Sequence, residues 1–381
     1  MPSSIMSNLL NFLKVLPGAL LVESRDFSAF SWTRLGAVLF MFPVFTTTLV
    51  VNWFFLLLDE VIFPNYRKVK IERAVFIIGL PRSGTTFILD TLLKDSERFT
   101  CFKLWELIFA PSILQKYIFL ALGRLDQKCG GFFTAHLIPV FDRLAFGRMK
   151  DIHPMNLLKA EEDEVLFLYN FTSIYFNYFF PNHPALQKYV HFDEMIPQKK
   201  RKDIFRYYRR CVQRHQYVFN SSNQKFFLSK NPTFIPKMSS LVDEFPNAKV
   251  IYPLRSPMNL IPSTLSLNAS AYSAFIKLKV KTPLVEATRE TLFRWYEHAD
   301  HVMKEKLREN GLTIYYQELT QNPAETFKRI YHFLKLENFT VEPAFLRNKT
   351  THIYDAWVGV DSVMIASRLA PILSEEVMAK I

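Results

Sequence analysis

Cysteine is nearly missing from this chain: Cys101, Cys129 and Cys211 are the only three in 381 residues. Their odd number and wide spacing exclude a disulfide framework and a cysteine-based zinc site, so three reduced, mostly buried thiols are expected. No His/Asp/Glu spacing resembles a zinc helix motif, and no metal is expected. Glycine is scarce too, at 10, against 37 phenylalanines. Blocks of like charge are also lacking. The formal net charge is +12, from 47 Lys+Arg and 35 Asp+Glu, but the cations are scattered through apolar stretches. Neither zinc-finger spacing nor a glycine-aromatic RNA-binding signature occurs. Nucleic acid is thereby set aside as a partner. A polyanionic small ligand, an anionic membrane surface, or both remain.

What the chain has in excess lies near its start. Leu35 to Leu58 is a run of 24 residues without a charge, longer than the roughly 20 that cross a bilayer as a helix. Arg34 and Asp59 bound it, and Trp53 sits near one end as an interface residue would. The run begins too far into the chain, and lacks a small-residue cleavage site, to be a cleaved signal peptide. Pro43 and Asn52 interrupt it, and the alternative is a helical hairpin buried against the following domain. Leu9 to Val22, apolar with one lysine, fits the membrane interface. Arg67, Lys68, Lys70 and Arg73 on one flank outnumber Arg25 and Arg34 on the other. The positive-inside tendency then places the large domain in the cytoplasm. Residues 1–70 read as a hydrophobic, membrane-associated region and 71–381 as one domain.

That domain opens on Arg73 to Leu93, RAVFIIGLPRSGTTFILDTLL. Ala74 to Ile78 has the apolar, β-branched character of a buried parallel strand. Gly79 to Thr86 follows the phosphate-loop frame, and Phe87, Ile88, Leu92 and Leu93 then recur at helical spacing. A strand turning tightly into a helix aims several backbone N–H groups and the positive helix end at one point, which suits a phosphate or similar oxyanion. Gly84 lets the backbone approach that anion without a Cβ in the way. Thr85 stands where an NTPase carries the lysine for its β- and γ-phosphates, and Arg82 supplies a cation earlier in the loop. Ordinary ATP hydrolysis is disfavoured on that ground.

A second anchor lies in Lys225 to Leu267. Phe226 to Leu228 reads as a strand ending at Lys230, Phe234 to Phe245 as a helix, and Lys249 to Leu254 as another strand. Arg255 follows at that strand's carboxyl end, where ligands collect in open α/β sheets. Ser263 comes eight residues later, on or near a helix opened by Ser256-Pro257. An arginine and a serine so placed grip a phosphate from two sides.

PRSGTT after a hydrophobic strand resembles the 5′-phosphosulfate loop of the sulfotransferase family. Arg255 and Ser263 match that family's 3′-phosphate segment, and Thr313 to Leu336 resembles its next strand and amphipathic helix. The resemblance implies an α/β fold, a P-loop-like parallel sheet flanked by helices behind the hydrophobic N-terminal helix. It implies a sulfotransferase that moves a sulfonate group from 3′-phosphoadenylyl sulfate (PAPS) to an acceptor hydroxyl, without a metal. By the same resemblance Arg82, Ser83, Gly84, Thr85, Thr86, Arg255, Ser263 and Tyr316 hold the nucleotide, Tyr316 against the adenine, and Lys230 supports the leaving oxygen.

The base is open between two residues. Soluble members carry a histidine two residues after the strand-end lysine, where this chain has Pro232. Tyrosylprotein and bacterial-type branches use a glutamate downstream of the loop, a place that Glu106 fits, with a partly apolar pocket expected to raise its pKa. His153 is the other candidate. The acidic run Glu161, Glu162, Asp163 and Glu164 reads as a solvated helix face. The similarity covers about residues 71 to 340 and is thin between 110 and 220, where Phe167, Tyr169, Phe171, Tyr175, Phe176 and Tyr178 read as core or as the wall of an apolar cleft. A small-molecule or lipid-linked hydroxyl is the expected acceptor; oligomeric state is not written in the sequence. A phosphate-loop kinase or NTPase, and a non-catalytic nucleotide-binding membrane protein, are the competing readings.

Overall fold

A computed structural model describes residues 8–10, 12–13, 32–147, 155–180, 183–276, 282–337, 339 and 367–369. Five parallel strands form one sheet in the order β2-β3-β1-β4-β5: β1 Ala74–Ile77, β2 Phe99–Cys101, β3 Phe226–Lys230, β4 Lys249–Leu254 and β5 Gly311–Tyr315. The apolar run of β1 is central, pairing with β3 on one side (Ile77 with Lys230) and β4 on the other (Ile77 with Ile251). Alternate β1 side chains feed opposite faces. Phe76 enters a core with Phe227, Val250 and Tyr208, and Val75 and Ile77 enter a second core with Ile88, Leu228 and Ile330. A strand buried on both faces has no use for polar alternation, which is why Ala74–Ile77 carries none.

The principal helices are α1 Trp32–Ile62, α2 Thr85–Leu92, α3 Leu104–Phe109, α4 Ile113–Lys128, α5 Ile138–Phe146, α6 Glu164–Leu168, α7 Gln198–Phe219, α8 Pro257–Ile276, α9 Thr282–Lys306, α10 Tyr316–Gln321 and α11 Pro323–Phe333. The helix expected over Phe234 to Phe245 is divided. Pro232–Lys237 is a 3₁₀ turn and Met238–Glu244 is helical. Pro236 has no N–H to donate, so the α-helical ladder starts only beyond it.

α1 contains the one described helix, Phe42–Ile62, long and apolar enough to cross a membrane. Its C-terminal half is bonded to the sheet domain. Asn52 Nδ2 donates to Ile108 O at 2.9 Å, Trp53 Nε1 donates to Tyr169 O at 3.0 Å, and Asp59, fully buried, pairs with Arg214 of α7 at 2.8 Å. Asn52 and Asp59, which interrupt and bound the apolar run, are thus the residues that fasten it. Phe12, in the stretch expected to lie in the interface, is buried against Phe171 and Phe176, with ring centroids at 5.0 and 4.5 Å, whereas Leu10 and Leu13 of that stretch are exposed. Of the thiols, Cys211 is buried and Cys101 partly so, but Cys129 is exposed, contrary to expectation.

Candidate active site

The β1–α2 turn is built as its residues require. Gly84 caps α2 with φ 94°, in the left-handed region, and no side chain caps the helix. The first amides of α2 therefore have neither an intrahelical nor a capping partner, and the positive end of the helix faces the turn. Arg82 also has a left-handed backbone, φ 73°, a strained state for a non-glycine residue of the kind that collects at ligand sites. A Cβ on Gly84 would lie 2.9 Å from Leu319 Cδ2 and 3.4 Å from the Tyr316 ring. Gly84→Ala is accordingly expected to cost about 1–2 kcal/mol through the left-handed backbone alone and to push the Leu319 side chain aside, with the Tyr316 ring left in ordinary contact. A melting curve checks the loss, and a variant as stable as the parent would show that the left-handed backbone at this position carries no such cost.

Residues far apart in the chain close over this turn. Arg82 Nε donates to Ser263 Oγ at 3.1 Å, across 181 residues. Arg255 Nη1 donates to Arg82 O at 2.8 Å, and its guanidinium stands 4.5 Å from the centroid of the Tyr316 ring. Tyr296 OH donates to Arg255 O at 2.8 Å, and Thr264 Oγ1 donates to Pro81 O at 3.3 Å. Among the described residues the partners of Arg82 and Arg255 are a hydroxyl, a carbonyl and a tyrosine ring, and neither meets a carboxylate. Two uncompensated guanidinium groups on one uncapped helix end make a site for an anion with more than one charged group. Thr86 is exposed on the same turn and Thr85 is buried. Ser83 is turned inward. Its hydroxyl is fully buried without a partner, packed where a Gly79 side chain would be, and its N–H donates to Leu80 O at 3.2 Å.

Lys230 ends β3, beside the carboxyl end of β1. Its side chain is 3% exposed and its Nζ lies 2.7 Å from Glu162 Oε1. Burial works against its charge, but the carboxylates of Glu162, Glu161 and Asp90 outweigh burial and hold the ammonium above its ordinary pKa. Glu162 Oε2 accepts from Tyr175 OH at 2.5 Å, so Tyr175 faces the site. Phe167, Tyr169, Phe171 and Phe176 belong to the core.

The acidic run is not a solvated face. Glu164 and Lys237 are both fully buried and paired at 2.6 Å, and Glu164 also accepts from Thr233 Oγ1, Ser173 Oγ and the Ile174 N–H. Asp163 is buried and accepts from Tyr208 OH; burial pushes its pKa up to about 7. Pinning Glu164 and Asp163 into the core leaves Glu162 directed at Lys230. The pairing was hidden in the sequence, where four adjacent acids look alike. The one available signal was a lysine at a strand end that needed a counter-charge.

Glu106 is 2% exposed, and its expected raised pKa is corrected. Burial raises it, but the His215 ring at 2.8 Å, Lys116 at 3.8 Å and the Lys103 N–H together leave it lowered. Both of its oxygens are engaged, with His215 continuing to Thr100 Oγ1 at 2.9 Å. His153 lies outside the described residues.

Known proteins share this architecture. The model of the sulfotransferase family matches residues 74–340. The omega-hydroxy-beta-dihydromenaquinone-9 sulfotransferase Stf3 of Mycobacterium bovis, like that of Mycobacterium tuberculosis, is 24% identical over 271 residues, 70% of this chain and 63% of the relative's length. The chain thus spans less than two thirds of these curated relatives. Sulfotransferase STF1 from Mycobacterium tuberculosis superposes with a TM-score of 0.69 at 20% identity, covering 95% of this chain and 92% of that one. STF9 from Mycobacterium avium gives the same TM-score at 18% identity, covering 92% and 87%. These two likenesses concern the fold. With the family match extending over most of the sheet domain, the chain belongs to the sulfotransferase family.

Proposed function

We propose that the protein transfers a sulfonate group from PAPS to the hydroxyl of an amphipathic or lipid-linked acceptor at a membrane. The observation that carries the reading is the convergence of Arg82, Ser263, Arg255 and Tyr316 on the β1–α2 turn, with the Lys230–Glu162 pair at the adjoining strand end. In this reading Arg82 and the amides of Gly84, Thr85 and Thr86 hold the 5′-phosphosulfate. Arg255 and Ser263 take the 3′-phosphate, and Tyr316 takes the adenine. Ser83 contributes through the shape of the turn, or its hydroxyl after rotating outward.

The acceptor oxygen attacks sulfur, its proton passes to a carboxylate, and the bond from sulfur to the bridging oxygen breaks. 3′,5′-Adenosine bisphosphate leaves. Lys230, held charged, and Arg82 stabilise the charge that develops on that oxygen. Glu162 is the proposed base. It is 14% exposed and lies on Lys230, whereas Glu106 is enclosed and ionised among His215 and Lys116. The Stf3 relatives, whose printed name specifies a hydroxylated dihydromenaquinone, favour a long-chain isoprenoid alcohol or quinone as acceptor. That choice agrees with a domain fastened to the apolar α1 and facing the cytoplasm.

Nucleotide-dependent melting tests the reading. At a hundred times its dissociation constant 3′,5′-adenosine bisphosphate is expected to stabilise by about 2.7 kcal/mol. ATP with magnesium is expected to do little, because Thr85 replaces the lysine that an NTPase needs. Stabilisation by ATP with magnesium and none by the bisphosphate would overturn the proposal in favour of a kinase or NTPase.

A further inference from the structure

Helices α4 and α5, joined through the Cys129-Gly130-Gly131 bend and a π-helical turn over Phe133–Leu137, form a hairpin rooted on α1 and α3. Its root is well made. Ser112 caps α4, accepting from the Gln115 N–H at 3.0 Å, and Asp59 of α1 accepts from the Ile113 N–H at 2.8 Å. Phe109 of α3 packs on Phe141 of α5, and Asp142 accepts from Asn156 Nδ2 and the Leu157 N–H. From Tyr117 onward the packing on the body thins, to the Phe63–Tyr117 contact and a stack of Phe119 on Trp105 with ring centroids 5.5 Å apart. Ile118, Leu122, Leu125, Phe132, Phe133 and Leu144 are 41% to 81% exposed. Exposed large apolar side chains gathered in one short segment mark an interaction surface, whereas scattered ones need no explanation.

The charges on the hairpin indicate what covers it. Its exposed ions are cationic: Arg124, Lys128 and Arg143. Its two acids are withdrawn. Asp126 is 7% exposed, taken up by the Phe133 and Thr134 N–H groups at 2.9 Å and by the Thr134 hydroxyl at 2.6 Å, and Asp142 is held as above. An apolar surface with a basic rim and its acids turned in complements the acyl chains and anionic head groups of a bilayer. We propose that the hairpin over residues 113–146 enters one leaflet of an anionic membrane, as an insertion element separate from α1. It adjoins α1 at its root, where the Phe63 and Tyr117 rings lie 5.9 Å apart, and leads into the segment that carries Glu162. A lipid-borne hydroxyl would then meet the site without leaving the interface.

The inference stands apart from the chemistry of transfer, and its readout needs no turnover. A polarity-sensitive fluorophore is placed on Cys129 of the full chain, reconstituted in phosphatidylcholine vesicles with or without phosphatidylserine, some lipids being brominated along the acyl chain. The Cys129→Ser protein measures background labelling at Cys101 and Cys211. A blue shift and quenching by brominated lipid are expected, stronger with phosphatidylserine. The variant carrying Leu122→Asp and Phe133→Asp is expected to lose at least about tenfold in quenching efficiency, with its melting response to adenosine bisphosphate intact. Should that variant fold poorly, Arg124→Glu with Lys128→Glu, both at exposed sites, is expected to abolish the phosphatidylserine dependence. Three results would overturn the proposal: a fluorophore equally hydrated with and without vesicles, quenching indifferent to both sets of substitutions, or protection of Cys129 that appears without lipid and disperses on dilution. The last would assign the face to a second copy of the chain.

Discussion

Replacing Lys230 with alanine is expected to lower kcat by about 10²–10³-fold, the scale of losing one preorganised stabiliser of developing charge. The dissociation constant for 3′,5′-adenosine bisphosphate should change by less than about tenfold. The asymmetry follows from position. In the proposed reading Arg82, Arg255 and Ser263 grip groups that donor and product share, so their loss would weaken binding of both. Lys230 sits at the end of the neighbouring strand, 2.7 Å from a carboxylate, and in the proposed reaction gains a partner only as the bridging oxygen becomes charged. An interaction made only in the transition state lowers kcat and leaves binding unaltered. Because Glu162, Glu161 and Asp90 hold the ammonium above its ordinary pKa, this contribution is complete at neutral pH. It is lost only as pH rises through that raised value, so Lys230 adds no limb to the rate profile between pH 6 and 9 (about the usual range of assay). Single-turnover rates with labelled donor, beside bisphosphate titrations, check the prediction. A variant that turned over normally, or failed only in binding, would remove Lys230 from the chemistry.

Much of the β1–α2 turn was legible because its signals are local. Ala74 to Thr86 encodes a buried strand, a glycine at the helix cap and an uncapped helix end within a dozen or so neighbouring positions, and a short window suffices to read them. Arg255 was legible for a related reason: it follows an unmistakable strand, Lys249–Leu254, which the structure reproduces residue for residue. That Arg82 would reach Ser263 was not readable, since the hydrogen bond joins residues 181 apart and depends on β4 lying next to β1.

The carboxylates were misread for a physical reason. Charge in a sequence carries no label for burial, and the Glu161–Glu164 run looks solvated until Lys230 and Lys237 arrive from 68 and 73 residues away. Glu106 suffered the opposite error. Its surroundings were expected to be apolar, but α4 and α7 bring it Lys116 and His215, which reverse the sign of the pKa shift. Hydrophobicity was ambiguous in the same way. The apolar residues of β1 and of the α4–α5 hairpin have similar composition, yet one set is the centre of the sheet and the other stands in solvent.

The two glutamates give the sharpest remaining contrast, because glutamine replaces each with nearly the same shape. Glu162→Gln is expected to cut kcat by about 10²–10⁴-fold, the range for loss of a general base. Bisphosphate affinity should be nearly unchanged, and melting temperature should fall less than for Glu106→Gln, since Glu161 and Asp90 still oppose the buried Lys230 charge and the amide still accepts from Tyr175. Glu106→Gln is expected to act on the fold instead. The carboxylate it removes is the counter-charge of Lys116, which is fully buried, and the partner of His215, which is 1% exposed. Stranding one member of such a pair costs about 3–5 kcal/mol, and the lost stability should appear as a lower melting temperature. Any fall in rate for this variant should recover at low temperature, where the folded fraction is restored. Rates per folded molecule, measured for both variants across a temperature series, separate the roles. If Glu106→Gln kept its melting temperature and lost turnover while Glu162→Gln stayed active, the base would be Glu106 and the Lys230–Glu162 pair would be structural. The proposed base is the carboxylate that can reach an acceptor, and of the two only Glu162 keeps an opening to solvent beside the cation that ends β3.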